Sequence, residues 1–395
     1  MPLLRETQST VDSRLDRCDS RSLALDRFAD PTLKGDERRE FFRRSIGKRS
    51  EPHKRDAWRE FLRTGLGLKP DDLLFAQLQA RLMVNMAGGV MENAGLCLDR
   101  LTGIPYIPGS AVKGCARRMA IQALYESGAG FQPASDPEDL AAKSKRWDKC
   151  AQRLVTIARV FGWADQDWNP GSDFEYACGK ADWDEIRERA VNLLFAEFPH
   201  WKKPTGNQPL WKALPNFAGA VQFLPAYPFS APSPDLELDV VTVHHREYYS
   251  GNPQFATAPD IEEPVPVVFP AVAPGYVFTF AVLPGRRCDE TLLTAAKNWL
   301  KQGLETFGLG AKVAAGYGWF RDVSNSFSET LRMEIQLRQL QETAQRFGEW
   351  SDDDKLEFII ELIGKPKLCQ AWRKNHPETA KQVGEFAAKM ESPLP

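Results

Sequence analysis

Between residues 74 and 84 apolar and polar positions alternate. Leu74, Ala76, Leu78, Ala80, Leu82 and Val84 fall on one face, and Gln77, Gln79 and Arg81 on the other. A period of two predicts a half-buried β-strand. After a glycine-containing stretch, NMAGGVMENAG, the period lengthens: Val112, Ala116, Met119, Ala120 and Ala123 recur at helical spacing behind a Pro108-Gly109 turn, with Ser110 expected as the N-cap. Residues 216–224 (NFAGAVQFL) and 276–283 (YVFTFAVL) read as further strands, the latter closed by a Pro284-Gly285 turn. Residues 289–306 form an amphipathic helix with Leu292, Ala296, Trp299, Leu300 and Leu304 in its stripe, and YGWFRDV makes a last strand.

Two long stretches interrupt this series. Residues 131–200 are rich in tryptophan and carry helical periodicity, as an insertion would. Residues 225–270 are rich in proline and too long for a hairpin turn, and such connections in compact domains are usually functional. Without these interruptions the order from 74 to 323 is β-α-β-β-α-β. That order predicts an α+β, ferredoxin-like core of the RNA-recognition type, an antiparallel sheet with two helices on one face. The expected organisation is a charged extension at 1–70, the core at 71–323 and a helical extension at 324–395.

Composition narrows the function. The 395 residues are 43% hydrophobic and 26% charged, a globular mixture. No window is apolar for the eighteen or so residues of a membrane span, and the N-terminus alternates charge where a signal peptide has its apolar core. A cytoplasmic location is expected. Seven scattered cysteines form no C-x-x-C pair and five histidines form no zinc spacing, so neither a disulfide framework nor a metal is expected. The net charge is −2, so a polyanion could be held only by a local patch. The most basic window carries Arg38, Arg39, Arg43, Arg44, Lys48, Arg49, Lys54 and Arg55 against only Glu40 and Glu51. It reads either as a solvated helix face or as an arm facing a polyanion or an acidic neighbour.

The stretch FGLGAKVAAGYGWF holds Gly308, Gly310, Gly316 and Gly318 around a single cation, Lys312. A triphosphate-binding loop needs Gly-Lys-Ser/Thr after a strand, and a dinucleotide fingerprint needs a third glycine where Val313 stands; both also need a preceding strand rather than a helix. What remains is a helix-to-strand connection whose glycines permit positive φ, and whose bare amides beside Lys312 suit a phosphodiester or serve packing alone.

This loop, the IPYIPGSAVKGCARR helix opening, and DVVTVHHREYYSG followed by EEPVPVVF together resemble the RAMP superfamily of CRISPR-associated proteins. The third signature is similar to the sixth-subunit family of type III-B effector complexes. The resemblance covers residues 74–323, with Ala111 replacing a frequent serine and Val313 a frequent threonine. It implies a non-catalytic subunit stacked near the 3′ end of a guide RNA. Its partners would be that guide, target RNA through the guide duplex, the repeated backbone subunit and the neighbouring 3′-end subunit. The RNA-binding residues it implies are Ser110, Lys113, Arg117, Arg118, His244, His245, Tyr248, Tyr249, Gly308, Gly310, Lys312, Gly316, Tyr317 and Gly318.

The resemblance further implies a thumb-like hairpin within 228–266, with Val240, Val241, Val243, Tyr248 and Tyr249 as wedge material. No cofactor is implied. The family's ribonuclease subunit uses an aspartate after the first strand, where this chain offers Glu92 and Asn93, with Asp99 too late. Asp235, Glu237 and Asp239 alternate, as a solvent-facing strand edge would. Two other readings stay open: a guide-processing endoribonuclease, which would want a histidine between His53 and His200, and an assembly scaffold with little RNA contact.

Overall fold

The computed structural model describes residues 9, 18, 20–48, 53–128, 140–204, 208–251, 254, 257, 258 and 263–395. Arg49, Glu51 and residues 131–139 lie outside them. The chain divides into two compact units, residues 1–68 with 72–322, and residues 69–71 with 323–395.

In the first unit the elements run α1 (Arg21–Asp26), α2 (Gly35–Ile46), α3 (His53–Glu60, continued by a wider turn, Phe61–Gly65), β1 (Leu73–Leu78), α4 (Gly109–Gly128), α5 (Leu140–Phe161), β2 (Gly162–Trp163), α6 (Asp173–Cys178), α7 (Trp183–Glu197), β3 (Phe217–Ala218), β4 (Val221–Phe223), β5 (Tyr227–Ser230), β6 (Leu236–Val243), the short α8 (Arg246–Tyr249), β7 (Val265–Val272), β8 (Val277–Pro284), α9 (Glu290–Thr306) and β9 (Phe320–Asp322). The main sheet has the order β4-β8-β1-β9, with β5 also on β8, and every pairing is antiparallel.

Register sets the faces. Leu74 stands opposite Phe280 and Ala76 opposite Phe278. These side chains, with Leu78, Val282 and Phe320, meet Val112, Ala116 and Met119 of α4 and Leu292, Ala296 and Leu300 of α9 in one core. The Asp289 carboxylate caps α9 by accepting the Leu292 amide at 2.9 Å. At the start of α4 the Pro108 carbonyl accepts the Ala111 and Val112 amides. Ser110 therefore lies inside the helix, not at its cap. The helix begins earlier than the sequence predicts, with Gly109 already helical: a Cβ there would run into the Phe223 carbonyl, so only glycine lets β4 pass this close.

The opposite sheet face is covered as well. Leu73, Phe75, Thr279 and Ala281 are buried on it, with Phe75 edge-on to Phe229 at 5.3 Å. Above them lies α3: Arg59 sits 4.7 Å from the Phe229 ring, Trp58 sits 4.9 Å from Tyr227, and Leu62 is buried. β1 is thus buried on both faces, not half-buried, and it ends at Leu78 instead of Val84 because beyond it the Arg81 and Met83 carbonyls accept amides of the 307–318 loop in place of a strand partner. The alternation seen in the sequence outruns the ladder, and only Leu82 bridges on, to Val272.

The basic window does not behave as a solvated face throughout. Arg38 is buried, donating to the Val268 carbonyl at 2.8 Å and the Glu92 carbonyl at 2.7 Å, while Arg39 and Arg43 pair with Asp36 and Glu40 on their own helix. The tryptophan-rich insertion folds onto α4 with Trp163, Trp168 and Trp183 buried in series beside Phe174. The strands β6 and β7 form a separate hairpin, paired from Leu236↔Val272 to Val243↔Val265.

The second unit holds α10 (Ser324–Ala344), α11 (Asp352–Ile363), α12 (Pro366–Asn375) and α13 (Pro377–Lys389) around Leu340, Phe347, Ile359, Leu362, Trp372 and Val383. Its buried Trp372 indole donates to Gln341 at 2.9 Å, and Gln341 donates on to Thr379. Among the described residues no helix is long and apolar enough to cross a membrane.

Candidate functional site

The glycine loop follows α9. Its glycines at 308, 310, 316 and 318 all take positive φ, and Lys312 is left-handed at φ 59°. Close approach explains most of them. The amide of Leu309 donates to Gly318 O at 2.9 Å, that of Gly318 to Arg81 O at 2.7 Å and that of Ala311 to Met83 O at 2.7 Å. A Cβ on Gly310 or Gly318 would collide with these same backbones, whereas one on Gly316 would meet open space. The loop is therefore pinned to the segment just past β1. The amides of Gly310, Lys312, Val313 and Ala314 have no acceptor among the described residues. Successive amides without an acceptor at the start of a short helical turn have the geometry in which backbone N–H groups can receive an anion.

Side chains fix the loop on three sides. Lys312 Nζ stands 5.0 Å from the Phe269 ring centroid. The Tyr317 hydroxyl donates to Asp239, and burial with that hydrogen bond pushes the phenol up to about 12. Arg81 pairs with Glu237 and, at 3.2 Å, with Asp239. On the helix side, the Arg118 guanidinium lies 4.2 Å over Phe307 and Cys115 Sγ points at the Gly308 carbonyl, 3.7 Å away. Burial pushes the Cys115 thiol up to about 12, which disfavours the nucleophilic thiolate.

The α4 cations separate by helical geometry. At about 100° per residue, Lys113 and Arg117 share a side, while Cys115 points away from both. Lys113 donates to the Phe161 carbonyl at 2.6 Å, and burial followed by the Arg117 charge draws it below the usual lysine range. Arg117 binds Asp167 at 3.0 Å and Asp173 at 3.4 Å and lies over Phe174. The structure thus brings Arg118, Gly308, Gly310, Lys312, Gly316, Tyr317 and Gly318 together. Lys113 and Arg117 are turned to the insertion, and Ser110 is exposed.

The hairpin carries the remaining residues at its far end. Its base is buried around Leu236, Phe269 and Val272, and its end is exposed at Val240 and Val265. Beyond it His244 is exposed, His245 is half-buried with its carbonyl accepting the Tyr249 amide at 3.0 Å, and Tyr248 meets Tyr249 edge-on at 5.5 Å. Tyr249 is 74% exposed.

Asp235, Glu237 and Asp239 do not form a solvent-facing edge. Asp235 holds Arg21, and the other two hold Arg81. Among the described residues no group of acidic, histidine or cysteine side chains could hold a metal, and all seven cysteines are free. Asp99 organises a tight turn, its Oδ1 accepting the Leu101 and Thr102 amides at 3.1 and 2.8 Å.

The sequence reading missed Arg81 and Phe269. Arg81 was the one cation on the polar side of the first alternating run, a signal that was available; Phe269 becomes relevant only once the hairpin folds back on the loop.

Comparison with known proteins gives the following. Residues 62–321, about two thirds of the chain, match the RAMP superfamily. The chain is 28% identical over 257 residues to the CRISPR system Cmr subunit Cmr6 of Pyrococcus furiosus, a match covering 61% of this chain and 64% of that relative's own length. Among solved structures, a chain of the type III-B Cmr-beta complex bound to cognate target RNA aligns with TM-score 0.40 at 14% identity, covering 80% of this chain and 87% of that one. The crystal structure of Cmr6 from Pyrococcus furiosus aligns with TM-score 0.30 at 22% identity, covering 63% of this chain and 97% of that one.

Proposed function

The chain belongs to the RAMP superfamily, and on that premise we propose that it is a guide-RNA-binding subunit of a type III-B CRISPR ribonucleoprotein effector. The likeness to Cmr6 supports this assignment over other branches of the superfamily. In this reading the β1-α4-β4-β8-α9-β9 series is a ferredoxin-like core, and β6 with β7 is its thumb. The four unpartnered amides at Gly310, Lys312, Val313 and Ala314, beside the Lys312 and Arg118 charges, are the observation that carries the proposal.

Such a surface recognises phosphate and ignores base identity, which a protein holding guides of different sequence requires. An acidic molecule can do this in part because Arg81 pairs with both nearby carboxylates, Glu237 and Asp239, and offsets one of their two charges. The exposed Tyr248 and Tyr249 at the hairpin end supply faces for stacking on or between bases. The subunit holds RNA for a neighbour to cut and touches target RNA through the guide duplex. Its protein partners are the repeated backbone subunit and the 3′-end neighbour.

Binding of a guide RNA to the full chain, measured over a salt series, tests this. Lys312→Glu should weaken binding and lower the salt slope by about one unit, the signature of a lost phosphate contact. An unchanged slope with intact guide retention would favour a scaffold with little RNA contact.

A further inference from the structure

The hairpin β6–β7 is gripped at its base by a residue of the N-terminal segment that the family match, which starts at residue 62, does not reach. Arg21 is 1% exposed, and every nitrogen of its guanidinium is engaged. Nε donates to Gly103 O at 2.6 Å, Nη1 to Lys48 O at 3.1 Å and to Asp235 Oδ1 at 3.0 Å, and Nη2 to Asp235 Oδ2 at 2.6 Å. Asp235 immediately precedes β6, and its carboxylate also accepts the buried Tyr276 hydroxyl at 3.2 Å, just before β8. Its own carbonyl accepts the Ala273 amide, closing the hairpin base. One planar fork therefore fixes the hairpin root relative to α1, the 99–104 turn and the central strand. Arg38 of α2 adds a second hold higher up, on Val268 of β7.

We propose that Arg21 is a positioning residue that sets the angle of the hairpin on the body, and so determines where Tyr248 and Tyr249 meet RNA. This deepens the RNA-binding reading and rests on it for its last step. The geometry makes the angle matter. From Leu236 to Val243 the strand is about 23 Å long at ~3.3 Å per residue, so a tilt of roughly 10° at the root moves the end by about 4 Å. That exceeds the span over which a hydrogen bond or a stacking contact survives. A bidentate arginine resists such a tilt because both of its parallel bonds lengthen unequally when the carboxylate rotates, which a single lysine contact would allow.

The test uses the full chain with Arg21→Gln, the milder Tyr276→Phe, and Leu154→Ala in the insertion core as a control of matched stability. Hydrogen exchange is read over residues 236–243 and 265–272, and photo-crosslinking to guide RNA is read at the 248–249 peptide and at the glycine-loop peptide. Arg21→Gln should speed hairpin exchange tenfold or more and cut crosslinks at 248–249 at least fivefold, leaving loop crosslinks unchanged. Tyr276→Phe should do the same more weakly, and Leu154→Ala should do neither. Hairpin exchange equal to that of the control in both variants would overturn the proposal. If wild-type chain crosslinks at neither peptide while hairpin exchange still responds to Arg21, the RNA reading fails and the brace stands.

Discussion

The helix α4 and the glycine loop look alike as sequences: each offers cations beside glycine, and each was expected to face phosphate. Their structures differ in what the cations touch. Lys113 and Arg117 are consumed by a carbonyl and two carboxylates of the insertion, whereas among the described residues Lys312 and Arg118 meet only the faces of Phe269 and Phe307. An aromatic face orients a cation without neutralising it, so the charge stays available to a ligand. Composition counts charges, and only the fold says which are already spent.

The comparison can be broken hardest at the loop's own backbone. Gly318→Ala places a methyl against the Leu309 carbonyl at a positive φ, and we expect a loss of about 3 kcal/mol, read from the denaturation midpoint. Gly316→Ala, whose methyl would meet open space, carries only the left-handed strain and should cost about 1 kcal/mol. Equal losses would mean that the loop is not pinned at Gly318.

Next in size is charge reversal on the available pair. Lys312→Glu with Arg118→Glu should weaken guide binding about fiftyfold at physiological salt, or ~2.3 kcal/mol. The matching experiment on the spent pair gives the contrast: Lys113→Met should leave affinity within about twofold. It should lower stability by about 1–2 kcal/mol, because the Phe161 carbonyl loses a charged donor.

These contrasts bear on how much was legible beforehand. The strands, the two core helices and the glycine loop follow from local periodicity and turn chemistry, and the chain forms them near the expected positions. The N-terminal segment was less legible. Its arginines look solvated in sequence because Arg21 and Arg38 are satisfied by groups 214 and 230 residues away, and a local window holds no trace of such partners. The same holds for Asp235, Glu237 and Asp239, whose period of two is real but whose faces meet arginines and not water.

The smallest effect is a titration. Tyr317 is raised to about 12 by burial and by its bond to Asp239. A phenol held above its unfolded value contributes stability that is complete below the unfolded pKa, near 10, and is lost as pH rises toward 12. Asp239→Asn removes the carboxylate and should shift the Tyr317 transition downward in an ultraviolet titration, leaving Tyr227, also raised to about 12 by burial and by Asp99, in place. An unmoved Tyr317 transition would detach the glycine loop from the hairpin.

The most direct measurement is a photo-crosslinking map of guide RNA on the assembled complex at peptide resolution. Crosslinks concentrated on residues 307–318 and Arg118, with Lys113 and Arg117 silent, are the expected result. Crosslinks at Lys113 and Arg117 with a silent glycine loop would contradict the claim that the unpaired amides and ring-held cations form the RNA-binding surface.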